Sequence, residues 1–292
     1  MKRTRSMRAA AFSSAAACAL IVLGACAASS QSGSGAGQTV TALHALDCGD
    51  ITTSDRSQFS PGVGVGQRLD LTNTCYVVRH PRGVLVWDTG LPDALAASPD
   101  GMRGQQYHVR RKQTLTDQLT RLGLTPDAIN YLAISHLHFD HSGNANYFTK
   151  ATWLIQKPEY EAAFSARAPQ MGFELGSYDK LKSNPVQQLT GDHDVFGDSS
   201  VVILSTPGHT IGHQSLLVRL PSGNKVLLSG DLWHFRGNRQ IRGVPAFNFD
   251  KAQTLASMDR VEALLKAHNA RLIIQHDPED VAALGPLPAT VR

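Results

Sequence analysis

From Thr39 onward the chain is dominated by short apolar runs, each closed by glycine, proline or a polar cluster. Val40 to Cys48 predicts a first strand, Thr74 to His80 a second and Gly83 to Trp87 a third, with Pro81-Arg82-Gly83 as the hairpin turn between the last two. Residues 49–70 are polar and Gly-rich and predict a long loop, and residues 92–112 show no clear period. Leu115, Leu119 and Leu122 then fall at i, i+4 and i+7, which predicts a helix from Thr114 to a stop at Gly123. Ile129 to Ile134 predicts a strand, Ser142 onward a short helix, Trp153-Leu154-Ile155 a strand and Glu159 to Ala166 a short helix. Residues 167–195 form an irregular insert carrying Met171, Phe173, Leu175 and Tyr178. A second half repeats the style, with strands at Val201 to Leu204, Ser215 to Leu220 and Lys225 to Leu228. Ala252 to His268 is an amphipathic helix with Leu255, Met258, Val261, Leu264 and Leu265 on one side, and Arg271 to Ile274 is a last strand. Strand runs followed by a helix, twice over, predict an α/β chain of two β-sheets packed face to face with helices outside.

The N-terminus has a different pattern. Lys2, Arg3, Arg5 and Arg8 form a basic head, and residues 9–25 are apolar or small and uncharged, the pattern of an export signal. Leu23-Gly24-Ala25-Cys26 resembles a bacterial lipobox, and cleavage after the small triplet Ala25-Cys26-Ala27 is the alternative. The expected organisation is therefore a signal peptide over 1–25, a flexible tether over 26–38 and one folded domain over 39–292. Export is expected, as a periplasmic or outer-membrane lipoprotein or else a secreted protein. Membrane contact would come only through a lipid on Cys26.

Composition changes the picture in two places. Of 292 residues, 42% are hydrophobic and 18% charged, an ordinary globular balance that supplies a sizeable core. The formal charge of +4 rests on the four basic residues of the signal and falls to 0 without them. No basic surface is left to favour nucleic acid. Of the four cysteines, only Cys48 and Cys75 belong to the expected domain, and an oxidising compartment leaves them open between a disulfide and two thiols.

The chemistry sits where strands stop. Ser135-His136-Leu137-His138-Phe139-Asp140-His141 puts three histidines and an aspartate into six positions directly after an apolar run. Cores rarely gather unpaired imidazoles, because burial strips their hydration, whereas a divalent metal takes imidazole nitrogen and carboxylate oxygen as ligands. Three more apolar runs end in such residues: Thr206-Pro207-Gly208-His209, Ser229-Gly230-Asp231 and Gln275-His276-Asp277. Together they offer five histidines and two aspartates, enough for two ions sharing a carboxylate.

In this order the motifs resemble the metallo-β-lactamase superfamily and its αββα sandwich, over residues 39–292. Within it, Ser135 to Asn144, Thr206 to Leu216, Val244-Pro245 with Phe249-Asp250, and His276-Asp277 resemble the N-acyl homoserine lactonases. That resemblance implies a site in which His136, His138 and His209 hold one ion, Asp140, His141 and His276 the other, and Asp231 bridges them. It implies two divalent cations, zinc first, with iron, manganese or cobalt as substitutes, which lower the pKa of a shared water and polarise an ester carbonyl. Asp140 would relay a proton to the leaving alkoxide. The lactonases carry a substrate-contacting tyrosine three residues after the bridging Asp, and here that position is His234, a hydrogen-bond donor of different reach. Asp88 is expected to orient a ligand, and His213 to be a structural hydrogen bonder. The Met171/Phe173/Tyr178 insert is expected either to line an acyl pocket or to form a local core.

The implied activity is hydrolytic opening of a lactone ring, most simply an N-acyl homoserine lactone. The alternatives are an exported organophosphate or aryl-ester hydrolase of the same superfamily, a β-lactamase, and an inactive metal-binding scaffold. The partner is a small molecule. The oligomeric state stays open, a homodimer included.

Overall fold

The computed structural model describes residues 39–292; the expected signal, lipobox and tether lie outside the described residues. Its strands are β1 (Ala42–Thr53), β2 (Leu69–His80), β3 (Gly83–Trp87), β4 (Met102–Arg103), β5 (Tyr107–Arg110), β6 (Tyr131–Ala133), β7 (Thr152–Gln156) and β8 (Val186–Leu189) in one sheet, ordered β4-β5-β1-β2-β3-β6-β7-β8. The second sheet is β9 (His193–Asp194), β10 (Val201–Ser205), β11 (Gln214–Arg219), β12 (Lys225–Leu228) and β13 (Arg271–Ile273), ordered β13-β12-β11-β10-β9. A last strand, β14 (Ala289–Thr290), returns to pair with β1. The helices are α1 (Leu115–Arg121), α2 (Phe139–Ser142), α3 (Lys157–Ala163), α4 (Arg236–Gln240), α5 (Lys251–His268) and α6 (Pro278–Ala282).

Period-two alternation builds the layers. Along β2 and β3, Tyr76, Val78, Leu85 and Trp87 bury inward against Ile203, Leu216, Val218, Val226 and Leu228 of the second sheet. Their neighbours Cys75, Val77 and Val86 face outward and are covered by Leu115 and Leu119 of α1. On the far side, Met258, Val261 and Leu265 of α5 cover Leu217 and Leu227. Helix, sheet, sheet, helix is the expected αββα order. A capping threonine starts α1, where Thr114 Oγ1 accepts the Asp117 N–H, and Asp250 does the same for α5 toward Gln253.

Several boundaries differ from the sequence expectation. β1 runs on to Thr53 and β2 begins at Leu69, so the expected 49–70 loop is shorter and holds a single 3-10 turn at Arg56–Phe59. Antiparallel pairing carries these polar ends; alternation alone does not reveal them. The aperiodic 92–112 segment contains the β4–β5 hairpin. The helix expected from Ser142 lies earlier, over Phe139–Ser142, and so carries Asp140 and His141 in its one turn. Cys48 and Cys75 are disulfide-bonded, with Cα atoms 5.8 Å apart. Cys48 sits within β1 and not at its end, on the same outer face as Cys75.

Strand direction places the site. β10 and β11 are antiparallel, as are β11 and β12, so β10 points the same way as β12; β13 is parallel to β12, and β3 to β6. The loops that follow β10, β12 and β13 therefore leave one edge of the second sheet.

Candidate metal centre

All seven expected donors converge, in the two subsets expected. His136, His138, His209 and Asp231 form one group and Asp140, His141 and His276 the other. In the first, His138 Nδ1 lies 2.9 Å from His136 Nε2 and 3.1 Å from His209 Nε2, and the last two are 3.2 Å apart. In the second, His141 Nε2 and His276 Nε2 are 3.1 Å apart, and Asp140 Oδ2 lies 3.7 Å from the former and 3.6 Å from the latter. Asp231 stands between the groups. Its Oδ2 is 3.6 Å from His136 Nε2 and 3.4 Å from His209 Nε2, while its Oδ1 is 3.1 Å from His141 Nε2 and 3.0 Å from His276 Nε2.

These spacings fit metal ligands. Donors about 2.0–2.1 Å from a tetrahedral ion are separated by roughly 3.3 Å along each edge. Three imidazole nitrogens aimed at one another cannot all carry protons at such separations, and Asp231 Oδ1 is buried with two imidazole nitrogens within 3.1 Å but no well-aligned hydrogen bond. An ion between the donors answers both problems.

Electrostatics points the same way. Burial, with His141 as a further positive neighbour, holds His136 well below the ordinary histidine pKa, and burial does the same to His209, so both stand as neutral ligands. Burial opposes protonation of His141 and His276 too, but Asp231 and Asp140 overcome it and raise both. Burial would raise Asp231, yet His141, His276 and His234 hold it well below the usual carboxylate range. The carboxylates that draw protons onto His141 and His276 would draw a divalent cation, whose binding releases those protons.

The outer atoms of the ligands are fixed by partners. His141 Nδ1 meets Asp88 Oδ2 at 3.0 Å, and Asp88 Oδ1 accepts the Ser135 N–H at 2.6 Å, which is the orienting role expected of Asp88. Asp88 holds a left-handed φ of 59°, a conformation aspartate tolerates better than most residues. His276 Nδ1 donates to Thr72 O at 2.7 Å, and His138 Nε2 meets Met171 O at 3.2 Å. His213 is the structural bonder expected: its Nε2 accepts the Asp231 N–H at 2.9 Å, and its Nδ1 meets Thr206 O at 3.0 Å. Burial lowers the His213 pKa to about 4, which keeps it a neutral acceptor. Gly230, at φ +54°, lets the bridging turn pass, since a Cβ there would lie 2.6 Å from His213 Nε2.

His234 lies inside the site and not on the surface. Its Nε2 is 3.1 Å from Asp231 Oδ2, and its ring packs 4.7 Å from Phe59 and 6.0 Å from Phe247. A cavity of about 480 Å³ opens over this floor, walled by Ile51, Phe59, Leu71, Tyr107, Phe139, Met171 and Phe247. The insert divides between its two expectations. Met171 lines the cavity, whereas Phe173 and Tyr178 are buried in the core beneath the first sheet.

Two residues were missed from the sequence. Gln275 donates to Asp88 Oδ2 at 2.8 Å and accepts from Trp87 Nε1 at 2.9 Å and Gly230 N at 3.1 Å, tying three ligand-bearing segments together. Its place just before His276 was the available signal. Glu159 is buried behind the two histidine loops, and its sequence context, Lys157-Pro158-Glu159-Tyr160-Glu161, reads as an ordinary exposed first turn.

Known proteins resemble this chain in sequence and fold. The metallo-beta-lactamase superfamily profile matches residues 69–276. An N-acyl homoserine lactonase of Rhizobium radiobacter is 32% identical over 228 residues, covering 74% of this chain and 86% of the relative. One from Bacillus thuringiensis is 29% identical over 255 residues, covering 82% and 95%. A solved N-acyl homoserine lactone hydrolase, with the product N-hexanoyl-L-homoserine at its catalytic metal centre, superposes with a TM-score of 0.75 at 27% identity, covering 87% of this chain and all of that one.

Proposed function

The chain belongs to the metallo-beta-lactamase superfamily, and on that premise we propose that it is a dinuclear metallohydrolase that opens the lactone ring of N-acyl homoserine lactones. Its similarity to lactonases at about 30% identity over most of their length supports this reading. The observation that carries it is the position of Asp231, whose two oxygens face separate donor groups at the floor of an apolar cavity. His136, His138, His209 and Asp231 would hold one divalent cation, and Asp140, His141, His276 and Asp231 the other, zinc being the first choice for this nitrogen-rich set. Bound there, two such ions supply Lewis acidity toward the lactone carbonyl and a nucleophile at neutral pH.

The chain's own groups do the rest. Water adds to the carbonyl carbon, the ring C–O bond breaks, and the ring oxygen leaves as an alkoxide that needs a proton. Asp140 lies at the cavity floor with one carboxylate oxygen toward His141 and His276, placed to take up the proton that the attacking water gives off and to hand it to that alkoxide. Asn73 Nδ2 donates to Asp140 O at 2.6 Å and fixes its backbone. His234 offers an N–H at the same floor, where the lactonases place a tyrosine hydroxyl. Phe59, Met171 and Phe247 exclude water around an acyl chain. For residues 1–38 we keep export with a lipid on Cys26 as the proposed localisation, on the basic head and the Leu23-Gly24-Ala25-Cys26 pattern.

The test is proton release on N-acyl homoserine lactones of graded chain length, beside an aryl phosphotriester, with metal content measured on the same sample. We expect two ions per chain and faster turnover of lactones than of phosphotriesters. The opposite preference would replace lactones with organophosphates, and two ions without turnover of either would favour a metal-binding scaffold.

A further inference from the structure

Helix α3 gives no donor to the centre, yet its first-turn carboxylate is buried behind it. Glu159 Oε1 accepts from the Leu137 N–H at 3.1 Å and from Thr210 Oγ1 at 2.9 Å, and Oε2 accepts from the Gly212 N–H at 2.8 Å. Leu137 separates His136 from His138, and Thr210 follows His209. One side chain therefore clips the loop leaving β6 of the first sheet to the loop leaving β10 of the second. The approach is close: a Cβ on Gly212 would lie 2.6 Å from Glu159 Cβ and 2.7 Å from its backbone N. Burial of a carboxylate is costly, and apolar residues would pack α3 against these loops without that cost. The three convergent donors give it a different purpose.

We propose that Glu159 is a positioning residue for the first metal subset, holding the two loops in the register at which His136, His138 and His209 meet. This rests on the dinuclear reading of the centre. Outer partners of metal ligands typically change metal affinity or activity 10- to 100-fold when removed. Here the partner acts through loop backbone, and its effect should fall on one ion of the two.

The experiment compares full-length wild type with the Glu159→Gln, Thr210→Val and Thr210→Ser variants, each equilibrated with stepped concentrations of a chelator. Retained metal is counted, and the visible spectrum of the cobalt(II)-substituted protein is recorded. In Glu159→Gln we expect one ion to be lost at roughly 10- to 100-fold weaker chelation, the other to stay, and the cobalt bands of the lost site alone to change. Thr210→Val should weaken the same ion by less, and Thr210→Ser, which restores the hydroxyl, should match wild type. If Glu159→Gln does not fold, the Thr210 pair carries the test, since both variants leave the carboxylate in place. Two ions held as tightly as in wild type overturn the proposal, and so does equal loss of both ions, which marks a packing role. A wild-type chain that never takes up two ions instead overturns the dinuclear reading and the brace with it.

Discussion

Asp231 and His234 form one unit at the residue scale. The carboxylate faces both donor groups, and the imidazole stands 3.1 Å from its Oδ2 with Phe59 packed against the ring. Replacing Asp231 with Asn keeps the shape but removes the charge that offsets two cations. Turnover should be abolished and metal occupancy should drop below two, counted on purified protein; both ions at full rate would falsify the bridging role. His234 belongs to neither ligand subset. Its replacement by Ala should therefore leave two ions bound while lowering lactone kcat/KM by about 10- to 100-fold, the worth of a hydrogen bond to a charged group. His234→Tyr should hold or raise the lactone rate if the imidazole stands in for the lactonase tyrosine. Phe247, whose ring lies 6.0 Å from that of His234, is 44% exposed, so this side of the site opens toward solvent. A collapse in rate with both ions present would point to a different chemistry at this position.

Elements decide what could be read in advance. Four of them were legible because each is an apolar run stopped by a ligand: β6 before His136, β10 before His209, β12 before Asp231 and β13 before His276. Both the metal subsets and the two-sheet sandwich followed from those stops and the family they resemble. The β4–β5 hairpin was not legible, since its strands are two and four residues long and mostly exposed or half-buried. Nor was the role of α3, whose charged first turn looks solvated until the loops of two sheets close over Glu159. That closure has a pH signature. Burial raises the Glu159 carboxyl from 4.5 to about 7, so folding favours its protonated form. Its contribution is then fully present below pH 4.5 and is lost as pH rises to about 7, an effect on the order of 3 kcal/mol. In metal-free protein, denaturant unfolding should show the stability difference between wild type and Glu159→Gln shrinking over that window. A difference that is flat in pH would remove the titration from this carboxyl.

At the scale of the whole molecule, the site depends on how the two sheets are held, because each donates part of every subset. The first sheet supplies His136 through His141, and the second supplies His209, Asp231 and His276. The first sheet is itself stapled where it carries that load. Cys48 and Cys75 join β1 to β2 on its outer face, and Cys48 O accepts the Leu91 N–H at 3.2 Å, just past the Asp88-Thr89-Gly90 turn. Thr89 N–H in turn donates to His141 O at 2.7 Å, so the staple reaches a ligand through two backbone bonds. A bridge between residues 27 positions apart removes about 3–4 kcal/mol of unfolded-state freedom. For a domain of this size that corresponds to a Tm shift of roughly 7–15 °C. Protein from an oxidising compartment should therefore leave Cys48 and Cys75 unlabelled when alkylated under denaturing, unreduced conditions, as read by peptide mass spectrometry. The Cys48→Ala/Cys75→Ala double variant should melt lower by that margin and still bind two ions, because neither sulfur is a donor. Labelling of both cysteines would remove the staple. An unchanged Tm in the double variant would deny the bridge a stabilising role and assign the rigidity of β1 and β2 to their eleven-pair register alone.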